Sequence, residues 1–256
     1  MVEDDVVKLL FELEGYFKKR VFVIQYNPII EKGIDLNDEV YIEYFIQEIL
    51  KKENVRHCVI IFNGFGGDLR TAILCSSLLR KNLDYYSCFV PSVIGSSLCY
   101  FALQANQLIV GQKSILTQID PLIEHRGELL RAIKNLTNMD GEIRKKAHNA
   151  ISYNIEILKK ILKKGKLLSR ECFSGRNEIN IHELERIINL FMGKELHESG
   201  LRIKELCNLK ISLRIESPEI ISLANKVLSL CREELFDMDN DNRLIIQTTK
   251  GGYFFQ

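Results

Sequence analysis

The chain has 256 residues, enough for one large domain with a substantial core or for two small ones. Its 35 lysines and arginines nearly balance 34 aspartates and glutamates, so the net charge of +1 gives no electrostatic case for nucleic acid or an anionic membrane as the main partner. The seven cysteines are odd in number and form no Cys-x-x-Cys pair. Four of them lie in apolar runs, so they read as small buried thiols rather than disulfides or zinc ligands.

Residues 3–19 have the spacing of an amphipathic helix, with Val6, Val7, Leu9, Leu10, Leu13 and Phe17 mostly on one side. Val21 to Tyr26 is a β-rich run that ends at Asn27-Pro28. Residues 37–52 follow as a helix with Val40, Ile42, Tyr44, Phe45, Ile49 and Leu50 as its apolar positions. A regular alternation comes next: a strand at 58–62, a helix at about 68–81, a strand at about 85–90, a helix at about 97–105 and a strand at 107–110. Buried strands alternating with helices imply parallel pairing through right-handed crossovers. Asp120-Pro121 breaks the chain soon afterwards.

Residues 128–136 are expected to be helical. A longer helix is expected over 141–164, with Ile143, Ala147, Ala150, Ile151, Ile155, Leu158, Ile161 and Leu162 at helical spacing and Gly165 as its stop. The basic cluster Lys159, Lys160, Lys163, Lys164 and Lys166 reads as the solvated face of this helix. Helices are expected at 180–191 and, shorter, at 198–208, before a strand near 210–214. Ser217-Pro218-Glu219 has the pattern of a helix start, with Ser217 as N-cap, and that helix is expected to reach Leu235. A turn at 237–242 and a last strand at 244–248 complete the reading. There is no internal repeat and no low-complexity segment. The expectation is a single α/β domain over 1–256, with its core at about 20–125 and a helical C-terminal region at about 128–256. The chain opens on the acidic Met1-Val2-Glu3-Asp4-Asp5, and no uncharged apolar stretch approaches the roughly 20 residues that span a bilayer. A reducing cytoplasm is therefore the expected location.

Two turns carry chemistry. The first, Asn63-Gly64-Phe65-Gly66-Gly67-Asp68, follows the strand at 58–62. Glycines there let a reacting carbonyl approach the backbone, and successive N–H groups in such a turn form a nest for an anion. The second, Val90-Pro91-Ser92-Val93-Ile94-Gly95-Ser96-Ser97, precedes an apolar helix. Ser96 at the helix start is a candidate nucleophile, and the Ser97 N–H can join the glycine turn in holding an oxyanion. Each turn also has a plain structural reading: a strand-to-helix turn needs small residues, and serine and aspartate are common N-caps. The pattern is neither a dinucleotide fingerprint, since Leu69 stands where a third small residue is needed, nor Gly-x-Ser-x-Gly. Cys99 lies inside an apolar run and reads as a core thiol rather than a rival nucleophile. Asp237-x-Asp239-x-Asp241 is half a calcium loop, without glycine at its sixth position and with Thr248 at its twelfth, so no metal or other cofactor is expected.

The stretch from about 58 to 123 resembles the serine dehydrogenase proteinase family. That family is grouped with signal peptide peptidase A and the Clp protease proteolytic subunit, all of the ClpP/crotonase fold. Its members have a Thr-Pro-Gly-Gly-like turn, a Met-Ser-Ala-Gly-Thr-like turn and a Gly-Pro-x-Asp-Pro-Gln-like segment. This chain has Gly64-Phe65-Gly66-Gly67, Gly95-Ser96-Ser97-Leu98-Cys99 and Thr117-Gln118-Ile119-Asp120-Pro121-Leu122 in the same order. Leu196-His197-Glu198-Ser199-Gly200-Leu201 is a looser match to a later family segment. The resemblance implies a ClpP/crotonase-like spiral of βαβ units and a serine peptidase acting on peptides or unfolded protein. It implies Ser96 as nucleophile, Gly67 and Ser97 N–H groups as the oxyanion hole with Gly66 shaping the turn, and a homo-oligomer with contacts from the helices at 3–19 and 141–164.

The chain also departs from the family pattern. Phe65 replaces a proline, Ser97-Leu98-Cys99 replaces Ala-Gly-Thr, and Ile119-Asp120-Pro121 lacks the base histidine of Clp proteases. Peptidases of the signal peptide peptidase type use a lysine some 40 to 50 residues after the serine. Lys145, Lys146 and His148 fall at that separation, and Lys146 and His148 are the base candidates, with His197 a further one. Each also reads as a surface residue. Two other readings stand beside the peptidase: a non-catalytic oligomeric relative that binds or scaffolds, and a crotonase-type acyl-CoA enzyme, against which Ser96 argues.

Overall fold

The computed structural model describes residues 2–27, 33–168, 173–174, 178–192, 200–201, 203–235 and 244–255. Helix α1 (Val2–Phe17) leads into strand β1 (Arg20–Tyr26). Helix α2 (Asp38–Tyr44) continues through a wide π-type turn, Phe45–Lys51, into β2 (His57–Asn63). Then come α3 (Leu69–Asn82), β3 (Tyr85–Val90), the short β4 (Val93–Ile94), a 3₁₀ turn Ser96–Leu98, α4 (Cys99–Gln104), β5 (Gln107–Val110) and the short β6 (Ile115–Leu116). A hairpin β7 (Leu122–His125) and β8 (Glu128–Arg131) precedes α5 (Gly141–Lys164). The short β9 (Phe173–Ser174) and β10 (Glu178–Ile179), α6 (Ile181–Met192), α7 (Ile203–Cys207), β11 (Leu213–Ile215), α8 (Pro218–Leu235), β12 (Leu244–Thr248) and β13 (Gly251–Phe255) follow.

Seven strands form one sheet in the order β11-β5-β3-β2-β1-β12-β13. The five from β11 to β1 are parallel, and β12 and β13 add antiparallel pairs beyond β1. The expected alternation over 58–110 is therefore a parallel sheet, as its unbroken apolar runs imply when both faces are covered. Side chains alternate between two cores. Phe22, Ile24, Cys58, Ile60 and Phe62 pack with α2, α3 and α4 on one face. Val21, Val23, Val59, Ile61 and Phe89 pack with Val6, Leu10 and Leu13 of α1 and Ala224, Val227 and Leu228 of α8 on the other. Burying each such Val, Leu, Ile or Phe contributes about 1.5–3 kcal/mol, which anchors the strand ends where the turns begin. The expected alternation of buried and free positions on α1 is met, with Val6, Leu10 and Leu13 fully buried and Phe11 and Tyr16 outward.

Two expectations need correction. Residues 128–136 are not a helix: β7 and β8 form an antiparallel hairpin around Arg126 (φ 53°) and Gly127 (φ 82°), followed by a 3₁₀ turn Ile133–Asn135. Positive φ at both central residues is the signature of a type I′ turn, one of the two that favour a two-residue hairpin. The Glu128-Leu129-Leu130-Arg131 run is made of good helix formers, but pairing Ile123 with Leu130 and packing both against Ala147 of α5 overrides that propensity. The region after residue 140 is mostly helical yet also supplies β11, β12 and β13 to the main sheet. The aspartate before α5 is a working cap: Asp140 accepts from the Glu142 and Ile143 N–H groups. Gly165 ends that helix as expected. The 237–242 turn lies outside the described residues.

Candidate functional site

The two turns singled out in the sequence are stitched together through the main chain. Gly64 bridges Ile94 in parallel fashion; its N–H donates to the Val93 carbonyl at 3.2 Å and its carbonyl accepts from Gly95 N–H at 2.9 Å. Beyond them β4 pairs with β6, and Thr117 N–H donates to the Ile94 carbonyl at 3.0 Å. The exits of β2 and β3 and the segment at 115–117 thus form a small second sheet at the ends of the parallel strands.

Gly66 lies directly against the serines. A Cβ on Gly66 would stand 2.5 Å from Ser96 Cβ and 2.8 Å from the Ser97 nitrogen, so only glycine permits this approach. From the other side the segment Gly33–Asp35 crosses the turn, with Asp68 N–H donating to the Ile34 carbonyl at 2.7 Å. A Cβ on Gly33 would fall 1.3 Å from the Gly66 carbonyl oxygen. The glycine turn is held between that crossing segment and Ser96. Asp68 then caps α3, accepting from Thr71 N–H at 2.7 Å and from its hydroxyl at 2.6 Å.

Ser96 has φ +46°, a left-handed conformation that a serine adopts only when its surroundings hold it there. Its N–H donates to Thr117 Oγ1 at 2.7 Å. It is half-buried, whereas Ser97 and all of α4 are buried. Tyr86 donates its hydroxyl proton to the Phe101 carbonyl at 2.7 Å and anchors α4 to the sheet, so the serine pair rests on a rigid support. Among the described residues no side chain hydrogen-bonds Ser96 Oγ. Gly67 N–H donates to Ser97 Oγ at 2.8 Å. Cys99 is a core thiol as expected: burial pushes it well above its usual range, and its sulfur lies 3.1 Å from the Thr117 carbonyl.

The structure therefore brings together Gly66, Gly67, Ser96 and Ser97, and it does not bring Lys146 or His148 into hydrogen-bond contact with Ser96. Lys146 donates to Glu142 Oε1 at 2.8 Å and to the Glu124 carbonyl at 3.3 Å, on the exposed side of α5 facing the hairpin. Lys145 and His148 are exposed on the same helix. His197 lies outside the described residues. Asp120 accepts from Ile133 N–H at 3.1 Å and so fixes the turn after the hairpin. Sequence reasoning missed two participants. Thr117 opens the third resembling segment, a signal that was present, and Gly33 carries none, because its role is an approach between segments distant in sequence. No group of three or more His, Cys, Asp or Glu among the described residues is placed to hold a metal ion. A cavity of about 370 Å³ between α1 and α8 is lined by Asp5, Lys8, Leu9, Glu12, Lys226, Ser229 and Leu230. It lies over the opposite face of the sheet from α4 and holds no nucleophile paired with a base.

This arrangement of parallel βαβ units with a small second sheet at the strand ends is a ClpP/crotonase-type fold. No family model matches the sequence, and no curated protein matches it. Solved structures do match. A membrane-bound stomatin-specific protease, 1510-N, in a serine-to-alanine form is similar with a TM-score of 0.52 and 13% identity, over 83% of this chain and 84% of that one. The same protease in a lysine-to-alanine form, in complex with a substrate peptide, gives a TM-score of 0.50 and 12% identity, over 79% of this chain and 78% of that one. At such identities the likeness is one of fold.

Proposed function

We propose that the chain is a serine peptidase of the serine dehydrogenase proteinase type, hydrolysing peptide bonds through an acyl-enzyme on Ser96. The observation that carries this reading is the half-buried, left-handed Ser96 lying against the Gly66-Gly67 turn. Ser96 Oγ would attack the peptide carbonyl carbon, and the carbonyl oxygen would take up negative charge beside the N–H groups of Gly67 and Ser97. The base takes the Ser96 hydroxyl proton on attack and passes it to the amine as the C–N bond breaks; it then takes a proton from water, which attacks the acyl carbon, and returns it to Ser96 Oγ as the acid leaves. Support comes from the shared fold with a protease whose solved forms carry alanine for one serine or one lysine, the latter with a substrate peptide bound. That pairing favours a lysine base, and Lys146 and His148 are the candidates at the family separation. The single-domain organisation, the homo-oligomer and the cytoplasmic location belong to the same proposal. Among the described residues no helix is long and apolar enough to cross a membrane.

A second reading, a non-catalytic binding relative, is favoured by one observation: Ser96 Oγ has no basic partner among the described residues. Labelling by a fluorophosphonate probe separates the two. The peptidase reading expects labelling that Ser96→Ala abolishes and that Lys146→Ala or His148→Ala reduces according to which is the base. A folded protein that takes no label supports the binding relative instead.

A further inference from the structure

Ser97 stands where the resembling family has alanine, and its hydroxyl occupies a consequential place. Ser97 Oγ accepts the Gly67 N–H at 2.8 Å, and the side chain is only 2% exposed. A serine oxygen is also tethered close to its own N–H by three covalent bonds. One oxygen therefore stands beside both N–H groups that the Ser96 reading assigns to the oxyanion, those of Gly67 and Ser97. Ser97 Oγ has no other hydrogen bond among the described residues, so holding Gly67 N–H is the one polar contact this side chain makes.

We propose that the Ser97 hydroxyl is a resident occupant of the oxyanion hole, which the carbonyl oxygen of a substrate must displace; this rests on the reading of Ser96 as nucleophile. Displacement needs only a turn about χ1 to another staggered position. The exchange is uneven in a useful way. A neutral hydroxyl is a weaker acceptor than an oxyanion, so the occupant yields as charge develops and returns when the charge is gone. Each turnover then surrenders one neutral hydrogen bond, which slows reaction at Ser96 by about two- to tenfold relative to an empty hole. The resting site is in this way shielded from stray carbonyls while remaining competent for a well-placed one. The buried serine hydroxyl costs little stability, because the Gly67 N–H supplies it with a hydrogen-bond partner.

The test is the second-order rate at which a fluorophosphonate labels the purified full chain, where a bond forms from Ser96 Oγ to phosphorus, fluoride leaves and the phosphoryl oxygen takes the hole. Ser97→Ala is expected to label about two- to tenfold faster than wild type, and Ser97→Cys, which keeps a side chain but is a weaker acceptor, to fall between. The Gly67 amide, followed by NMR hydrogen exchange, is expected to exchange faster in Ser97→Ala, a readout independent of activity. Labelling that depends on Ser96 but is unchanged or slower in both Ser97 variants overturns the occupant while leaving the nucleophile standing. Absence of Ser96-dependent labelling in every folded variant overturns both. Should Ser97→Ala fail to fold, Ser97→Cys alone decides, by the same criteria.

Discussion

Gly66→Ala tests whether the close approach of the two turns is what makes the site. The new methyl would stand 2.5 Å from Ser96 Cβ and 2.8 Å from the Ser97 nitrogen. Ordinary carbon–carbon contact is about 3.5–4.0 Å, so the turns must part by roughly 1 Å. Neither side can give by moving a flexible tip, because Ser96 is held through its N–H by Thr117 and the turn is backed by Gly33 and Ile34. Parting by that much carries the Gly67 N–H, now beside Ser97, about 1 Å out of line with a carbonyl held at Ser96. Overpacking of this kind costs about 1–3 kcal/mol, which lowers the melting temperature by roughly 2–12 °C in a domain of this size. A misplacement near 1 Å costs about a hundredfold in rate, and loss of one oxyanion donor costs about 10²–10³. The expected outcome is a folded variant whose fluorophosphonate labelling is slower by about a hundredfold or more. A Gly66→Ala protein that keeps its melting temperature and labels at the wild-type rate would refute the argument that this contact aligns the donor with the serine.

Thr117→Val keeps the shape of the side chain but leaves the Ser96 N–H without its acceptor; labelling is expected to slow by about tenfold or more, with recovery in Thr117→Ser. Gly15 lies inside α1 with nothing within 4 Å of an added Cβ, so Gly15→Ala is expected to stabilise by about 0.5–1 kcal/mol, seen as a melting temperature higher by a few degrees. The Glu142 and Ile143 N–H groups that Asp140 accepts hold its carboxyl below the usual carboxylate range. Its contribution is therefore present above the unfolded pKa and is lost as pH falls through the lower, folded one. NMR of the Glu142 and Ile143 amides should report loosening of the start of α5 on that acid side, and Asp140→Ala should remove the transition.

The units from β2 to β5 were legible because each strand is a short unbroken apolar run closed by Gly, Pro or Asn, and each helix has its own start signal. Asp68, for example, is a residue type that caps, and it does cap. The hairpin at 122–131 was not legible, because Leu129 and Leu130 are good helix formers whose strand conformation is decided by the surface of α5 beneath them. β13 was missed because Gly251-Gly252 conceals a strand that exists only by pairing with β12. In the site, Ser96, Ser97, Gly66 and Gly67 stood out because small residues at strand exits are a local pattern. Spacing alone did not give the direction of Lys146, which turns toward Glu142 and the hairpin. Gly33 acts through an approach across the fold that no local pattern records, and the Thr117 segment stood out without showing which N–H its hydroxyl would accept.

The bridge between Gly64 and Ile94 bears on how much change in sequence such an arrangement tolerates. The two turns are joined by main-chain pairings at Gly64, Val93 and Gly95, and one side chain, Thr117, adds the acceptor that holds the Ser96 N–H. A site written in amide geometry tolerates extensive rewriting of its letters, provided the glycines that permit contact stay small. Phe65, exposed in the turn, and Leu98 and Cys99, buried behind it, are positions where the letters can change in that way. The same scaffold can thus drift in potency, from active to gated to silent, without first losing its alignment.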